Sequence, residues 1–437
     1  MSILRSSYRI LNRLWLCLIA PLTLVLSGCG AEDQPDSIVA IENGAEYIIS
    51  FDITVNSLPN VSTRAPEGDY EPGTGWENYI NVTGMDYRIL FFSHNPDVTN
   101  SDFLLGSLNN MEISLLADSS VNKTYKVTGK IRSDVAKMLM SNIVKIVVLA
   151  NWGSYTAVDE LIQSSSTDEE PLLVPSGDNS SPTLSAIWES ASFDFTKTLK
   201  TASDGRIHQT PLQLNNLIPL YGVTNPIQGV QFDGNRYFYA GTVNMLRAFA
   251  KIEVVQSDNS IDIDEVRVRR YCKTGFHLPY SYRTQDAYLK GYYKGDYSLL
   301  PHVLDGNSAI ADDVIYFNMA ETYRWYVYVP EFTNKGKTDS YQSSIEIKFH
   351  DYDHYETLHF SKYVVPEGYD ISVRGDDFDL LRNNIYRYYI YKDLQVVVDV
   401  IPYIGVDLNP EFGFDDLLPR PPTEGDVPPW VVVDPDD

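Results

Sequence analysis

The sequence predicts an all-β protein built from two β-sandwich domains in tandem, with minor helices. Aromatic residues make up 12% of the 437 residues, and tyrosine alone accounts for 31 of them. Such residues favour pleated, half-buried strands. Segments of alternating apolar and polar residues recur between turn residues, which is typical of a sandwich. The chain is too long for one ordinary core, so two domains are expected.

The chain begins with a predicted lipoprotein signal peptide, residues 1–28. Three arginines precede an apolar run of about 13 residues that starts near Leu14. This run suits a signal peptide and falls short of the ~20 residues that span a bilayer. It ends in Leu26-Ser27-Gly28-Cys29, the order of a lipobox, so Cys29 is predicted to become the acylated first residue, anchored in the outer membrane. The alternative is an uncleaved membrane anchor, which Pro21 disfavours.

Charge and cysteine content narrow the possible partners. The formal net charge is −25, so the basic patch that nucleic-acid binding requires is missing, and no nucleic-acid partner is expected. The three cysteines are Cys17, Cys29 and Cys272. Because Cys17 falls in the signal peptide and Cys29 is the lipidation site, no disulfide is expected within the mature chain. Cys272 is expected to be a small buried apolar residue.

The first elements follow a short tether. Residues 29–46 are small, polar and acidic and are predicted to be this tether. The N-terminal domain is predicted over 47–235. It opens with a strand, Tyr47–Val55, whose alternation indicates one buried face. The loop after it is rich in Pro, Ser and Gly, contains Arg64 and Ala65, and is expected to be exposed to proteases.

The rest of the N-terminal domain is predicted to be strands with one helix. Strands are expected at 87–92, 125–131 and 143–150, the last an apolar run broken only by Lys145 and so buried on both faces. A helix is expected over 134–141 with Ser133 as its N-cap. Residues 163–189 show little pattern and are interpreted as a surface excursion.

The C-terminal domain is predicted over 236–437, after a segment rich in Pro and Gly. Its expected strands are 246–254, 265–271, 323–329, 345–349, 357–364, 385–392 and 395–401. The tail from 407 is acidic and rich in proline, which disfavours a central strand. Within it, Trp430-Val431-Val432-Val433 can still form one extended piece.

No catalytic residue, cofactor or metal site is expected. His350, His354 and His359 lie with carboxylates near a predicted hairpin tip, where polar residues face water, so a metal site there is disfavoured. No phosphate loop, nucleophile elbow or paired-cysteine motif occurs. The tyrosine-rich segment 280–297 admits two interpretations: a loop that binds through its rings, or rings that cover a sheet edge.

Several motifs resemble a known family. The lipobox is joined by Val147-Val148-Leu149-Ala150-Asn151, Ile218-Pro219-Leu220-Tyr221-Gly222, the segment 247–254 (Arg-Ala-Phe-Ala-Lys-Ile-Glu-Val) and the segment 381–388 (Leu-Arg-Asn-Asn-Ile-Tyr-Arg-Tyr). In order and spacing they are similar to the fimbrillins, subunits of the type V fimbriae of Bacteroides-type bacteria. The resemblance implies two transthyretin-like β-sandwiches, with 247–254 opening the second.

The resemblance also implies a route of assembly. Family precursors reach the outer membrane as lipoproteins, an arginine-specific protease cuts after the first strand, and a neighbouring subunit fills the groove. Arg64 lies where the cut would fall, and Ala65 would become the new N-terminus. Loss of Tyr47–Val55 would leave unpaired backbone groups, which favours strand addition. The alternative for Arg64 is a solvated loop arginine.

Three hypotheses for function follow. The chain is a shaft or tip subunit of a cell-surface fimbria that contributes to adhesion, a fimbrial anchor that keeps its lipid and first strand, or a surface glycan-binding lipoprotein. An enzyme, a hydrolase above all, is disfavoured. The expected partners are other fimbrial subunits, the outer membrane through Cys29, and surface ligands of host or bacterium. The hypothesis for the donor strand is Trp430–Val433; the alternative is a solvated tail.

Overall fold

The structure is a computed structural model that describes residues 41–56, 76–95, 102–108, 111–118, 122–153, 155–163, 191–224, 226–278, 310–321, 323–364, 372–392 and 395–402. Strands dominate these ranges, so the predicted all-β class is confirmed. Two α-helices occur in them, α1 (Ser133–Ser141) and α2 (Thr156–Gln163). Neither these nor any other helix in the described ranges combines the length and apolar character that a membrane crossing requires.

The first half of the chain contributes strands β1 to β11. They are β1 (Glu46–Asn56), β2 (Tyr87–Ser93), β3 (Phe103–Ser107), β4 (Met111–Asp118), β5 (Asn122–Arg132), β6 (Val144–Ala150), β7 (Ser192–Asp194), β8 (Leu199–Thr201), β9 (Ile207–Gln209), β10 (Leu220–Val223) and β11 (Tyr237–Arg247). Eight of them form one sheet in the order β3-β2-β6-β10-β11-β1-β5-β4. Side chains from both ends of this sheet share one core with α1, so the sheet curls around that core.

The second half contributes strands β12 to β23. They are β12 (Phe249–Gln256), β13 (Ile263–Cys272), β14 (Thr274–Phe276), β15 (Ile310–Tyr316), β16 (Asn318–Glu321), β17 (Arg324–Pro330), β18 (Ser344–Phe349), β19 (Glu356–His359), β20 (Ser361–Val364), β21 (Val373–Asp377), β22 (Asn384–Ile390) and β23 (Val396–Pro402). A five-stranded sheet, β16-β17-β12-β22-β23, faces a six-stranded one, β19-β18-β13-β15-β9-β8. Their inner side chains form a second core, as in a sandwich.

The strand β6 has a buried face on each side. Ile146 and Val148 point into the first core, while Val147 and Leu149 belong to a third, smaller apolar cluster. That cluster includes Val158 of α2, so helix α2 covers the outer face of the sheet. The doubly buried strand expected from the sequence is therefore present, including the buried Lys145.

Three local expectations differ from the structure. The predicted strand 357–364 is two strands, β19 and β20, which belong to different sheets. Ser133 is the first residue of α1 rather than its N-cap, and its hydroxyl accepts a hydrogen bond from the backbone N–H of Gly44. The predicted strand 246–254 is two strands, because the chain leaves the first sheet at Ala248, whose N–H donates to the carbonyl of Pro219.

The change from one core to the other falls at Ala248. The strand after residue 235, β11, pairs with β1 and β10 in the first sheet. Conversely, Phe195, which follows β7, packs in the second core, and β8 and β9 belong to its six-stranded sheet. The two cores therefore exchange segments along the chain. Cys272 is buried in the second core, as expected.

Candidate functional site

The strand that the sequence singles out, β1, is an internal strand of the eight-stranded sheet. On one side it pairs antiparallel with β5 along its whole length, from Glu46 opposite Arg132 to Asn56 opposite Asn122. On the other side it pairs parallel with β11. Removing it would open a slot between β5 and β11 and would leave a row of unpaired backbone groups on each. We call the place of β1 between these strands the β1 slot.

One face of β1 is fully buried in the first core. Its inward side chains are each 0–1% exposed: Tyr47, Ile49, Phe51, Ile53 and Val55. Burial contributes about 1.5–3 kcal/mol for each large apolar side chain. The five together therefore contribute on the order of 10 kcal/mol, similar to the ~5–15 kcal/mol stability of a whole domain. The first core cannot lose this strand without a replacement.

Polar contacts fix the register of β1. The hydroxyl of Ser50 donates to the carbonyl of Val127 at 2.7 Å, and the hydroxyl of Tyr239 donates to the Asp52 carboxylate at 2.8 Å. The hydroxyl of Tyr47 accepts from the N–H of Glu42 at 2.8 Å. A register shift of one residue would turn the buried face to solvent.

The next described element after β1 is a 3₁₀ helix, Trp76–Asn78, which is tied to the second sandwich. The buried Glu77 accepts hydrogen bonds from Nζ of Lys251 on β12, at 2.8 Å, and from the hydroxyl of Tyr328 on β17. The neighbouring Asn78 accepts from the guanidinium of Arg247. Residues 57–75 therefore connect the end of β1 to a segment that is hydrogen-bonded to the second sandwich.

The ion pairs around Glu77 continue across the outer face of the five-stranded sheet. Lys251 also pairs with Glu253 at 2.9 Å, and Glu253 accepts from Nε of Arg387 at 2.6 Å. Burial alone would raise the pKa of both carboxyl groups, but the adjacent cations outweigh it. The pKa of Glu77 lies below its usual value, and that of Glu253 falls to about 2.

Arg247 closes the junction between the two cores. It is 1% exposed, and its Nη1 and backbone N–H both donate to Oδ1 of Asn383, at 3.1 and 3.2 Å. Its Nε donates to the carbonyl of Glu77 at 3.1 Å. Since β11 leads through this residue into β12, the strand beside the β1 slot continues directly into the second sandwich.

The arrangement gives one cut a defined consequence. A cut between residues 57 and 75 would end the covalent link between β1 and the 3₁₀ helix, leaving β1 held by the sheet and core alone. The segment on the other side of the cut would stay fixed through Glu77 and Asn78. The two sides of such a cut would therefore be held by different contacts, β1 by the first sheet and core, and the 3₁₀ helix by the second sandwich.

The predicted processing residues lie outside the described ranges. These are Cys29, Arg64, Ala65 and the proposed donor Trp430, Val431, Val432 and Val433. The tyrosine-rich segment 280–297 also lies outside them.

The histidines near residue 350 lie on an exposed hairpin. β18 and β19 pair antiparallel, and the side chains of His350 and His354 at the tip are 65% and 60% exposed. His350 pairs with Asp264, and His354 with Asp353 and Glu356. Within the described residues, no group of three or more His, Cys, Asp or Glu side chains is arranged to hold a metal ion.

Sequence reasoning missed the polar junction around Glu77. The sequence did contain an indication of this junction. In segment 247–254, Lys251 and Glu253 alternate with apolar residues of a strand, and Arg387 does so in β22. Charges at every second position usually indicate a solvated face. Here they indicate a sheet face on which opposite charges are buried together.

No protein-family model matches this chain, and no curated protein matches it. Solved structures match it at low sequence identity. One is the tip fimbrial protein Mfa3 from Porphyromonas gingivalis, with a C-terminal truncation. It is 11% identical, covers 82% of this chain and 100% of its own, and has a TM-score of 0.45.

Two further solved structures come from Bacteroides. A protein from Bacteroides thetaiotaomicron with a proposed polysaccharide-binding role is 10% identical, covers 83% of this chain and 100% of its own, and has a TM-score of 0.30. A proposed adhesin from Bacteroides ovatus is 8% identical, covers 82% of this chain and 95% of its own, and has a TM-score of 0.28. The solved structures that this chain is similar to thus include a tip fimbrial protein and a proposed adhesin. Similarity at this level transfers no function or residue role to the chain.

Proposed function

We propose that this protein is a subunit of a cell-surface fimbria, exported as a lipoprotein and assembled by exchange of β1 for a strand of a neighbouring subunit. The observation that carries the proposal is the position of β1. It is an internal strand with one fully buried face, and Arg64 follows it in the sequence. A strand placed in this way can be separated by one cut and replaced by strand addition.

The proposed sequence of events begins at the membrane. Acylation of Cys29 anchors the precursor at the outer membrane, with β1 filling its own slot so that β5 and β11 both remain paired. Cleavage after Arg64 makes Ala65 the new N-terminus. The first domain, beginning at residue 47, carries the slot, and the C-terminal domain carries the tail that ends at residue 437.

The β1 slot sets requirements for a donor. A strand that runs as β1 does must pair antiparallel with β5 and parallel with β11, and alternate side chains must enter the core. Trp430-Val431-Val432-Val433 offers two inward side chains in four residues, each contributing about 1.5–3 kcal/mol on burial. The five inward side chains of β1 bury more, so further residues of the tail are required beside this piece. The alternative is that the acidic tail is solvated. Deletion of residues 428–437 distinguishes the two: assembly should be lost if the tail is the donor and should be unchanged if the tail is solvated.

The experiment that tests the proposal is N-terminal analysis of protein recovered from cell surfaces. We expect Ala65 at the N-terminus of polymers, and we expect Arg64→Ala to give a folded, acylated, unpolymerised protein because β1 stays in its slot. The matched control is Arg269→Ala, an exposed arginine of β13 in the second sandwich, which should polymerise like the wild type.

Two results would contradict the proposal. Polymers of Arg64→Ala as abundant as those of the wild type would exclude cleavage as the trigger. An acylated Cys29 at the N-terminus of the surface protein, with no Ala65 form, would instead support an anchor that keeps its lipid and its own β1. Adhesion to surface glycans or other ligands is a further expectation for a tip subunit.

A further inference from the structure

Lys145 lies in the apolar strand β6 with its ammonium against a carboxylate. Its side chain is 2% exposed, and Nζ is 2.9 Å from Oδ2 of Asp102, the residue before β3. On the other oxygen of that carboxylate, Oδ1, lies Nδ1 of His94 at 2.6 Å, one residue after β2. Since β3, β2 and β6 are neighbours in the sheet, three adjacent strands bring these side chains to one carboxyl carbon.

The surroundings of this group are apolar. Phe92 lies opposite Lys145 in the β2–β6 pair, and Leu104 lies opposite Phe92 in the β2–β3 pair. Both belong to the third apolar cluster. The side chains of Asp102 and His94 are only 9% and 16% exposed. Keeping both members of an ion pair charged is costly in such surroundings, and passing one proton from ammonium to carboxylate removes both charges.

We propose that Lys145 and Asp102 form an isopeptide bond between Nζ and Cγ. After the ammonium has passed one proton to the carboxylate, the lone pair of the uncharged amine attacks Cγ and the Nζ–Cγ bond forms. His94 donates a proton to Oδ1 and takes one from Nζ, so that the imidazole ends as it began. The Cγ–Oδ1 bond breaks, and Oδ1 leaves as water with two protons, the one donated by His94 and the one that the ammonium first passed to the carboxylate. Oδ2 keeps no proton and becomes the amide oxygen. No oxidant, reductant or co-reactant is required.

The bond would have a structural consequence that the ion pair does not. β3 is the edge strand of the eight-stranded sheet, and β6 lies two strands inward. The amide would hold this edge to the interior across β2 and would close the chain between residues 102 and 145 covalently. The inference stands independently of strand exchange at β1, because none of the three residues lies in the β1 slot.

Peptide mapping of the denatured full-length wild-type protein tests the proposal. Trypsin cuts after lysine and arginine but not after a lysine whose Nζ is in an amide. We expect no cleavage after Lys145, and a branched product that joins residues 89–123 to residues 138–197. Its mass should be lower than that of the two separate peptides by one water. Fragmentation should place the branch at Asp102 and Lys145.

Two variants serve as matched comparisons. Lys145→Arg keeps the positive charge but removes the nucleophilic amine, so cleavage at position 145 and full peptide masses should return. Lys130→Arg changes an exposed lysine of β5, which pairs with Glu46, and should keep the branched product. Complete cleavage after Lys145 in the wild type, with the peptide 89–123 at its full mass, would overturn the proposal and leave an ion pair only. That result needs only the wild-type protein, so it does not depend on the folding of either variant.

Discussion

At the scale of single residues, His277 makes stability depend on pH. Its ring is buried against Trp152, with Nε2 at 2.5 Å from the carbonyl of Leu220. Burial, with the nearby Arg382 guanidinium, lowers the pKa of His277 to about 3. Between this value and the usual 6.5 the unfolded chain binds a proton that the folded protein does not. The stability due to neutral His277 is thus complete above pH 6.5 and is lost as the pH falls.

We expect the free energy of unfolding to fall by up to about 1.4 kcal/mol per pH unit below pH 6.5 from this group. The measurement is denaturant unfolding between pH 7.5 and 4.5 on the wild type and on His277→Gln, which cannot titrate. The variant should show the shallower dependence on pH, whatever its stability at pH 7.5. Equal slopes for the two proteins would contradict the assignment.

Glu77 is the second residue with a predicted stability effect. Replacing it by glutamine leaves Lys251 and Arg247 buried with one carboxylate fewer, and breaking a buried pair in this way costs about 3–5 kcal/mol. Because Lys251 keeps Glu253, we expect Glu77→Gln to cost close to the lower figure, about 3 kcal/mol. The exposed pair Arg132–Asp134 is the control, and Asp134→Asn should cost less than about 1 kcal/mol. Equal losses in denaturant unfolding would show that the junction around Glu77 is not tightly buried.

At the scale of elements, β10 depends on a glycine. A Cβ at Gly222 would lie 2.5 Å from Sδ of Met245, 2.6 Å from Cγ1 of Val243 and 2.9 Å from the carbonyl of Asn244, all on the paired strand β11. We expect Gly222→Ala to lower the free energy of unfolding by about 1–3 kcal/mol through overpacking. Gly234→Ala is the control, since no atom lies within 4 Å of its added Cβ. The measurement is denaturant unfolding of the two variants. Equally small losses in the free energy of unfolding would contradict the close approach of β10 and β11.

The strands that the sequence predicts well are those whose pattern is local. β2, β5, β6, β13, β17, β18, β22 and β23 all lie within a residue or a few of their predicted bounds. The break at Ala248 was not predictable in this way, because every second residue from 246 to 254 is apolar and the change of sheet depends on distant partners. The distant partner of β11 is β10, and the distant partner of β12 is the parallel strand β22.

The candidate site was predictable only in part, for a similar reason. The buried face of β1 follows from alternation, which the sequence displays directly. Its place between β5 and β11 is a matter of long-range pairing, and the parallel pair with β11 joins residues almost two hundred positions apart. Glu77 was missed because a lone glutamate between Trp76 and Asn78 carries no pattern, and its partners lie on β12 and β17.

At the scale of the whole molecule, β11 and β12 join the β1 slot to the second sandwich through Arg247. A strand that fills the slot pairs with β11, and β11 leads into the centre of the five-stranded sheet. A load applied to a donor strand would therefore pass along one backbone into the second core. This continuity is what the proposed strand exchange between subunits would require.

The most direct test of strand exchange is the β1 content of the assembled polymer. Surface polymers are purified, denatured and digested, and the peptides from residues 46–56 and from β11 are quantified by mass spectrometry. Cleaved but unassembled subunits are the control. They should keep β1, because burial of its inward side chains stabilises it by on the order of 10 kcal/mol. The account predicts that polymers contain the β11 peptide and lack the β1 peptide. Polymers that contain both peptides in equal amounts would contradict it.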